Sequence, residues 1–186
     1  HTHSQERKRG YKKWITVREA IFDLPELEAG GSYEDEMIKN HKARNLSETN
    51  INRLREIRLH DGNRKMISEE LQLKCHKKKN VSYTDTYGII NPDKPAPTIT
   101  SGCTAISKGR YGHPTQDRGL SIREAARLQS FDDKFEFIGN MGEMSLQIGN
   151  AVPPKLAQAS GKVIRNFMEL YQKYLEENSR NMITSR

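Results

Sequence analysis

With 186 residues, 34% of them hydrophobic and 30% charged, the chain suits one domain or a domain with an appendage. Leu, Ile, Val and Phe make up about a fifth of it, near the lower limit for a chain that builds its own core, so some apolar surface is expected to pack on a partner. A net charge of +7 points to a polyanionic partner, and no run reaches the ~18 apolar residues of a membrane helix, so the expected setting is intracellular.

Residues 1–13 read as a polar, basic linker, and the opening His1 without a methionine suggests a cut or processed piece. Thr16-Val-Arg-Glu19 is a capping box that opens a short helix from Val17 to about Asp23, stopped near Pro25. Gly30-Gly31 and Glu34-Asp-Glu36 read as loop. Ile51, Leu54 and Ile57 form one side of an amphipathic helix with Ser47 as its cap, followed by a turn at Asp61-Gly-Asn63. A short helix from Ser68 is a further candidate. From Tyr83 to Ser107, β-branched and aromatic residues broken by Gly and Pro predict short strands and turns.

Ser121-Ile-Arg-Glu124 is a second capping box before a helical run. Pro153-Pro154 suits the first turn of a long helix carrying Leu156, Val163, Phe167, Leu170 and Tyr174 at helical spacing, with a polar tail after Glu177. These elements predict an α+β fold. The basic clusters are Arg7-Lys-Arg9 with Lys12 and Lys13, Lys77-Lys-Lys79, and more loosely Lys108, Arg110 and Arg118. Each is also compatible with a solvated surface run. Cys75 and Cys103 have no paired spacing, so neither a disulfide framework nor a metal site is expected.

Arg118-Gly-Leu-Ser-Ile-Arg-Glu-Ala-Ala-Arg-Leu-Gln-Ser-Phe131 and Gln147-Ile-Gly-Asn-Ala-Val-Pro-Pro154 resemble the last two motifs, IX and X, of the cytosine-C5 DNA methyltransferases. Asp132 is a departure, since the family usually has proline there. Lys94-Pro-Ala-Pro-Thr-Ile-Thr100 and Gly109-Arg-Tyr-Gly-His-Pro114 are similar to the end of many target-recognition regions of that family. Gln5-Glu-Arg-Lys-Arg9 matches the outline of an upstream motif, but Gly10-Tyr-Lys-Lys13 follows instead of an apolar strand, so a basic linker is the better reading.

The resemblance implies a linker and short helix over 1–25, a target-recognition region over 26–118, the motif IX helix, motif X loop and C-terminal helix over 119–177, and a tail over 178–186. It implies that the C-terminal helices dock on a Rossmann-like catalytic domain or subunit that lies outside this chain. It places Asn150, Ala151 and Val152 beside an S-adenosylmethionine pocket, and Thr98 and Thr100 near the backbone of double-stranded DNA. Lys108 and Arg110 are candidates for phosphate or base contact. Arg123, Glu124 and Arg127 are expected to form ion pairs that join recognition region to core.

In the resembled family a cysteine thiolate in a Pro-Cys motif attacks C6 of a flipped cytosine, assisted by a glutamate in Glu-Asn-Val. Cys75 follows Lys74, Cys103 follows Gly102, and neither Glu-Asn-Val nor a Phe-x-Gly-x-Gly cofactor loop occurs. The expectation is therefore no catalytic residue in this chain, and no methyl transfer by it alone. It would serve a DNA (cytosine-5-)-methyltransferase, of a restriction–modification system, as reader and pocket wall. The alternatives are a stand-alone DNA-binding module, or a fragment of an enzyme that methylates transfer RNA.

Overall fold

The computed structural model describes residues 3–4, 12–74, 77 and 85–184. Arg7-Lys-Arg9, Cys75, His76, Lys78, Lys79 and the start of the expected strand at Tyr83 lie outside them. The chain divides into two compact units, His1–Ala151 and Val152–Arg186.

In the first unit, β1 (His3–Ser4) pairs in parallel with β2 (Lys12–Lys13). Then come α1 (Val17–Ile21), β3 (Ser32–Tyr33), β4 (His41–Lys42), α2 (Glu48–Leu59), a 3-10 turn (Ile106–Lys108), α3 (Ile122–Leu128) and α4 (Met141–Asn150). Helices with two-residue strand pairs fit the α+β expectation. Both predicted capping boxes form: Thr16 Oγ1 accepts from the Glu19 amide at 3.2 Å, and Ser121 Oγ from the Glu124 amide at 3.0 Å. Ser47 holds the N-cap position of α2 but makes no side-chain cap bond.

Several expectations are corrected. Among the described residues, 85–107 hold no strand, only a single parallel bridge from Ile89 to Gly112. Pro92, Pro95 and Pro97 have no amide to give a ladder. The carbonyls there serve α1 instead, with the Val17 and Arg18 amides donating to Lys94 (3.0 Å) and Pro92 (2.8 Å). The acidic loop is the turn of a hairpin: Asp35 Oδ1 accepts from the Met37 and Ile38 amides, and β3 pairs antiparallel with β4, Ser32 opposite Lys42. Gly149 and Asn150 of the expected motif X loop are the last residues of α4, whose own capping box is built on Asn140 and Glu143. Met144 and Ile148 bury that helix at an i, i+4 spacing.

Ser68 opens only a turn, with the Leu71 amide donating to the Ser68 carbonyl at 3.1 Å. α3 is the hub, packed on α1, α4 and β4. Ile122 to Ala126 are all buried, so its polar side chains must find partners inside. The Glu124 carboxylate accepts from both terminal nitrogens of Arg118 (2.8 and 2.7 Å) and from the Ser121 amide (2.8 Å). Arg118 also donates to the carbonyls of Leu27 (3.1 Å) and Gly119 (3.0 Å) and to Gln116 (2.8 Å).

His113 completes this knot as a neutral ring. Its Nδ1 accepts from the Thr115 and Gln116 amides (3.2 and 3.0 Å), so that nitrogen carries no proton. Burial outweighs the attraction of Glu124 and pushes its pKa from 6.5 down to about 4. His41 is buried too. Its Nε2 donates to the Pro25 carbonyl at 2.7 Å, its Nδ1 meets Ser121 Oγ at 2.9 Å, and burial lowers its pKa.

In the second unit α5 (Pro154–Thr184) starts at a proline, with Leu156 and Ala157 amides closing on the Pro153 carbonyl. The helix thus runs through the expected tail. Val163, Ile164, Phe167, Met168, Leu170, Tyr171 and Tyr174 are all at least half exposed. Among the described residues no helix is long and apolar enough to cross a membrane.

A histidine held neutral by the fold favours the folded state only while the unfolded chain is also unprotonated. Stability is therefore full above about pH 6.5 and falls as the pH drops toward 4, by about 3 kcal/mol from His113 alone. Melting temperature measured between pH 7 and 4.5 should fall steadily. His113→Asn, which keeps an acceptor for the two amides, should flatten that dependence; an equally steep profile would exclude His113 as its source.

Candidate functional site

The segment from Thr98 to Tyr111 folds back on itself around one phenol. Ile99 is buried while Thr98 and Thr100 on either side are exposed, so the pair of threonines faces outward from an anchored centre. The Tyr111 ring is buried, with its hydroxyl 3.0 Å from the Thr98 carbonyl, 2.9 Å from Thr100 Oγ1 and 3.3 Å from the Thr100 amide.

Two glycines carry the stems of the two candidate cations. A Cβ at Gly102 would lie 2.8 Å from Lys108 Cβ, and one at Gly88 would overlap the Arg110 side chain. Lys108 is exposed, and the Arg110 guanidinium lies 3.6 Å from Asp85, a loose surface pair that leaves the cation half exposed. Three arginines of α2 are tied up. Arg55 and Arg58 share Asp117 at 2.9 and 2.6 Å, and Arg53 donates to the Leu71 carbonyl at 2.7 Å. Lys108 and Arg110 carry exposed positive charge on the same segment as the threonines.

α4 lies directly on this segment. A Cβ on Gly149 would overlap the backbone of Thr100 and Ser101, so the helix approaches as closely as only glycine permits. One turn earlier, Arg44 Nε donates to Thr104 Oγ1 (3.0 Å), Thr104 to Ser145 Oγ (2.8 Å), and Ser145 to the Met141 carbonyl (2.7 Å). Gln129 Nε2 donates to the Ile148 carbonyl at 3.2 Å, fixing α4 to α3. Asn150 is exposed at the end of α4, and Ala151 follows in extended conformation. Val152 is 63% exposed and opens the second unit. Of the three cofactor candidates, Asn150 and Ala151 thus adjoin Thr100 through Gly149.

The α3 side chains are structural, with one difference from expectation. Glu124 pairs with Arg118, and Arg127 grips Asp133 at 2.6–2.7 Å and also binds Asp23. Arg123 finds no acid. It donates to the carbonyls of Lys39 (2.6 Å), Asp132 (2.7 Å) and Phe135, because the chain wraps it in backbone. Asp132 supplies the turn that the family's proline would, its Oδ1 accepting from the Lys134 amide at 3.0 Å. Cys103 is wholly buried and its thiol is pushed up to about 11, so it stays protonated and is no nucleophile near neutral pH. Among the described residues no group of His, Cys, Asp and Glu could hold a metal ion.

Tyr111, Gly149 and the Arg44–Thr104–Ser145 chain were not singled out as functional from the sequence. The Gly109-Arg-Tyr-Gly112 bracket was the only available signal for Tyr111.

The first unit is a helix-rich framework whose buried hub holds a hydroxyl-bearing loop against the end of α4, and comparison with known proteins gives its family. The family model for C-5 cytosine-specific DNA methylase matches residues 1–166. The chain belongs to that family. It is 39% identical over 163 residues to the type II methylase M.HgiDII of Herpetosiphon aurantiacus, covering 85% of this chain and 45% of that protein. It is 33% identical over 179 residues to DNA (cytosine-5)-methyltransferase 3 of Arabidopsis thaliana, covering 84% and 13%. With the type II methyltransferase M1.HphI of Haemophilus parahaemolyticus it shares 34% over 155 residues, covering 83% and 37%. The chain spans less than half the length of these relatives.

Gly149→Ala would drive a methyl group into backbone that has no rotamer with which to yield. A loss of roughly 3 kcal/mol is expected, the upper end for overpacking, read as a lowered urea midpoint. An unchanged midpoint would show that α4 can back away from Thr100.

Proposed function

We propose that this chain is the target-recognition and cofactor-pocket-closing portion of a DNA (cytosine-5-)-methyltransferase of the restriction–modification type. Residues 26–118 read the duplex, 119–177 join the reader to the catalytic body, and 1–25 and 178–186 are linker and tail. The observation that carries this reading is the Gly149 contact, which sets the Thr98–Thr100 loop beside Asn150 and Ala151. The type II methylase and methyltransferase relatives, at 39% and 34% identity, support the restriction–modification assignment.

In this reading Thr98 and Thr100 meet the sugar–phosphate backbone, and Lys108 and Arg110 add charge beside them. Asn150, Ala151 and Val152 form one wall of the S-adenosylmethionine pocket. The fit is chemical as well as positional: the C-terminal end of α4 concentrates carbonyl oxygens, whose partial negative charge suits a ligand carrying a sulfonium and an ammonium group. When bound, that cofactor supplies the methyl group. The exposed apolar face of α5 packs on the catalytic domain or subunit, which brings the nucleophilic cysteine and its glutamate from outside this sequence.

The expected behaviour is duplex binding without chemistry. Incubated with duplex DNA and labelled cofactor, this chain should incorporate no methyl groups, and a chain carrying the Pro-Cys motif should restore incorporation. Robust labelling by this chain alone would refute the reading. Competition with transfer RNA should leave duplex binding intact.

Arg110→Ala should weaken duplex binding and lower the dependence of log K on log salt by roughly 0.9, one phosphate contact. An unchanged slope would place Arg110 off the backbone.

A further inference from the structure

We propose that Tyr111 is a positioning residue that turns the Thr100 hydroxyl into a phosphate donor. The inference rests on the reading of Thr100 as a duplex-backbone contact. The phenol is held rigidly: its ring is buried against Gly109, its carbonyl accepts from the Leu120 amide at 2.9 Å, and the following Gly112 amide donates to Gly88 at 2.9 Å. Its hydroxyl therefore sits at a fixed point among three groups of the outward-facing loop.

One proton decides what that loop presents. A phenol hydroxyl donates once and accepts up to twice. With its proton on the Thr98 carbonyl at 3.0 Å, Tyr111 accepts the Thr100 amide, at 3.3 Å, and the Thr100 hydroxyl proton, at 2.9 Å. Thr100 then shows only lone pairs to solvent, the wrong polarity for a phosphate oxygen. Rotation of the Tyr111 O–H toward Thr100 Oγ1 reverses this. Thr100 now accepts from Tyr111, and its own O–H is free to donate outward. The Thr98 carbonyl, on an exposed residue, exchanges its partner for water. No heavy atom moves, and no proton is gained or lost.

The test is a double-mutant cycle on duplex affinity, measured by fluorescence anisotropy with the full chain. Thr100→Val should weaken binding roughly tenfold, and Tyr111→Phe severalfold, because without the phenol the Thr100 hydroxyl is no longer held with its proton outward; the double variant should be no weaker than Thr100→Val. Thr100→Ser should retain near-normal affinity. The salt slope should stay the same in all, because neither side chain carries charge. A double variant weakened by the product of the single effects, or a Tyr111→Phe that binds normally while Thr100→Val does not, overturns the proposal alone. A Thr100→Val that binds normally overturns the reading of Thr100 and the proposal with it. Should Tyr111→Phe lose its cooperative melting, 3-fluorotyrosine at 111 replaces it. That more acidic phenol should shift the affinity of the chain with Thr100 and leave the Thr100→Val chain unmoved, and equal shifts in both would overturn the relay.

Discussion

A buried guanidinium–carboxylate pair, Arg118 with Glu124, holds the rest of the first unit in place. Taking two charges out of water is costly, and removing one partner of such a pair typically costs 3–5 kcal/mol. Here every nitrogen of Arg118 donates, and both Glu124 oxygens accept. The same carboxylate closes the capping box of α3, so the start of the hub helix and the fold of residues 113–118 are set by one group. Arg118 reaches Leu27, and His41 bonds Ser121 and Pro25, tying the early chain to the same point. Because replacing a whole buried pair by apolar residues is often neutral, the knot matters most through what either partner would leave uncompensated if the other were removed.

From that hub the functional surface follows by contact. α3 fixes α4 through Gln129 and the shared apolar core of Leu120, Ile122, Met144 and Ile148. α4 in turn presses Gly149 against Thr100 and Ser101. Thr100, proposed to meet the duplex, and Asn150 and Ala151, proposed to line the cofactor pocket, thereby lie on either side of one contact. A glycine there has a steric cause, since any side chain would overlap the Thr100–Ser101 backbone.

Much of this was legible in short-range pattern. The capping boxes at Thr16 and Ser121 depend only on residues three apart, and both form. The stripe at Leu54 and Ile57 buries one side of α2, and a proline starts α5. Motifs IX and X were enough to indicate the family. The strands were misplaced because β-branched composition at 86–100 cannot reveal where backbone amides go. Prolines removed the donors, and α1 took the carbonyls. The hairpin at 32–42 was hidden because two-residue strands carry no periodicity, only a turn closed by Asp35.

By itself the sequence determined what local chemistry determines: the helix starts at Thr16, Ser121 and Pro154, the amphipathic stripe of α2, the family motifs, and the absence of Pro-Cys and Glu-Asn-Val. Tertiary structure alone decided which cations are spent inside and which face outward. Arg118 reads like a surface base and Arg123 like an ion-pair partner, yet burial places Arg118 on Glu124 and Arg123 on backbone carbonyls. It also decided that Tyr111, marked in the sequence only by its bracketing glycines, stands at the centre of the outward loop. The reason is physical: a hydrogen bond spanning eleven or thirteen residues has no periodic trace along the chain, and exists only once the core around Ile99 has closed.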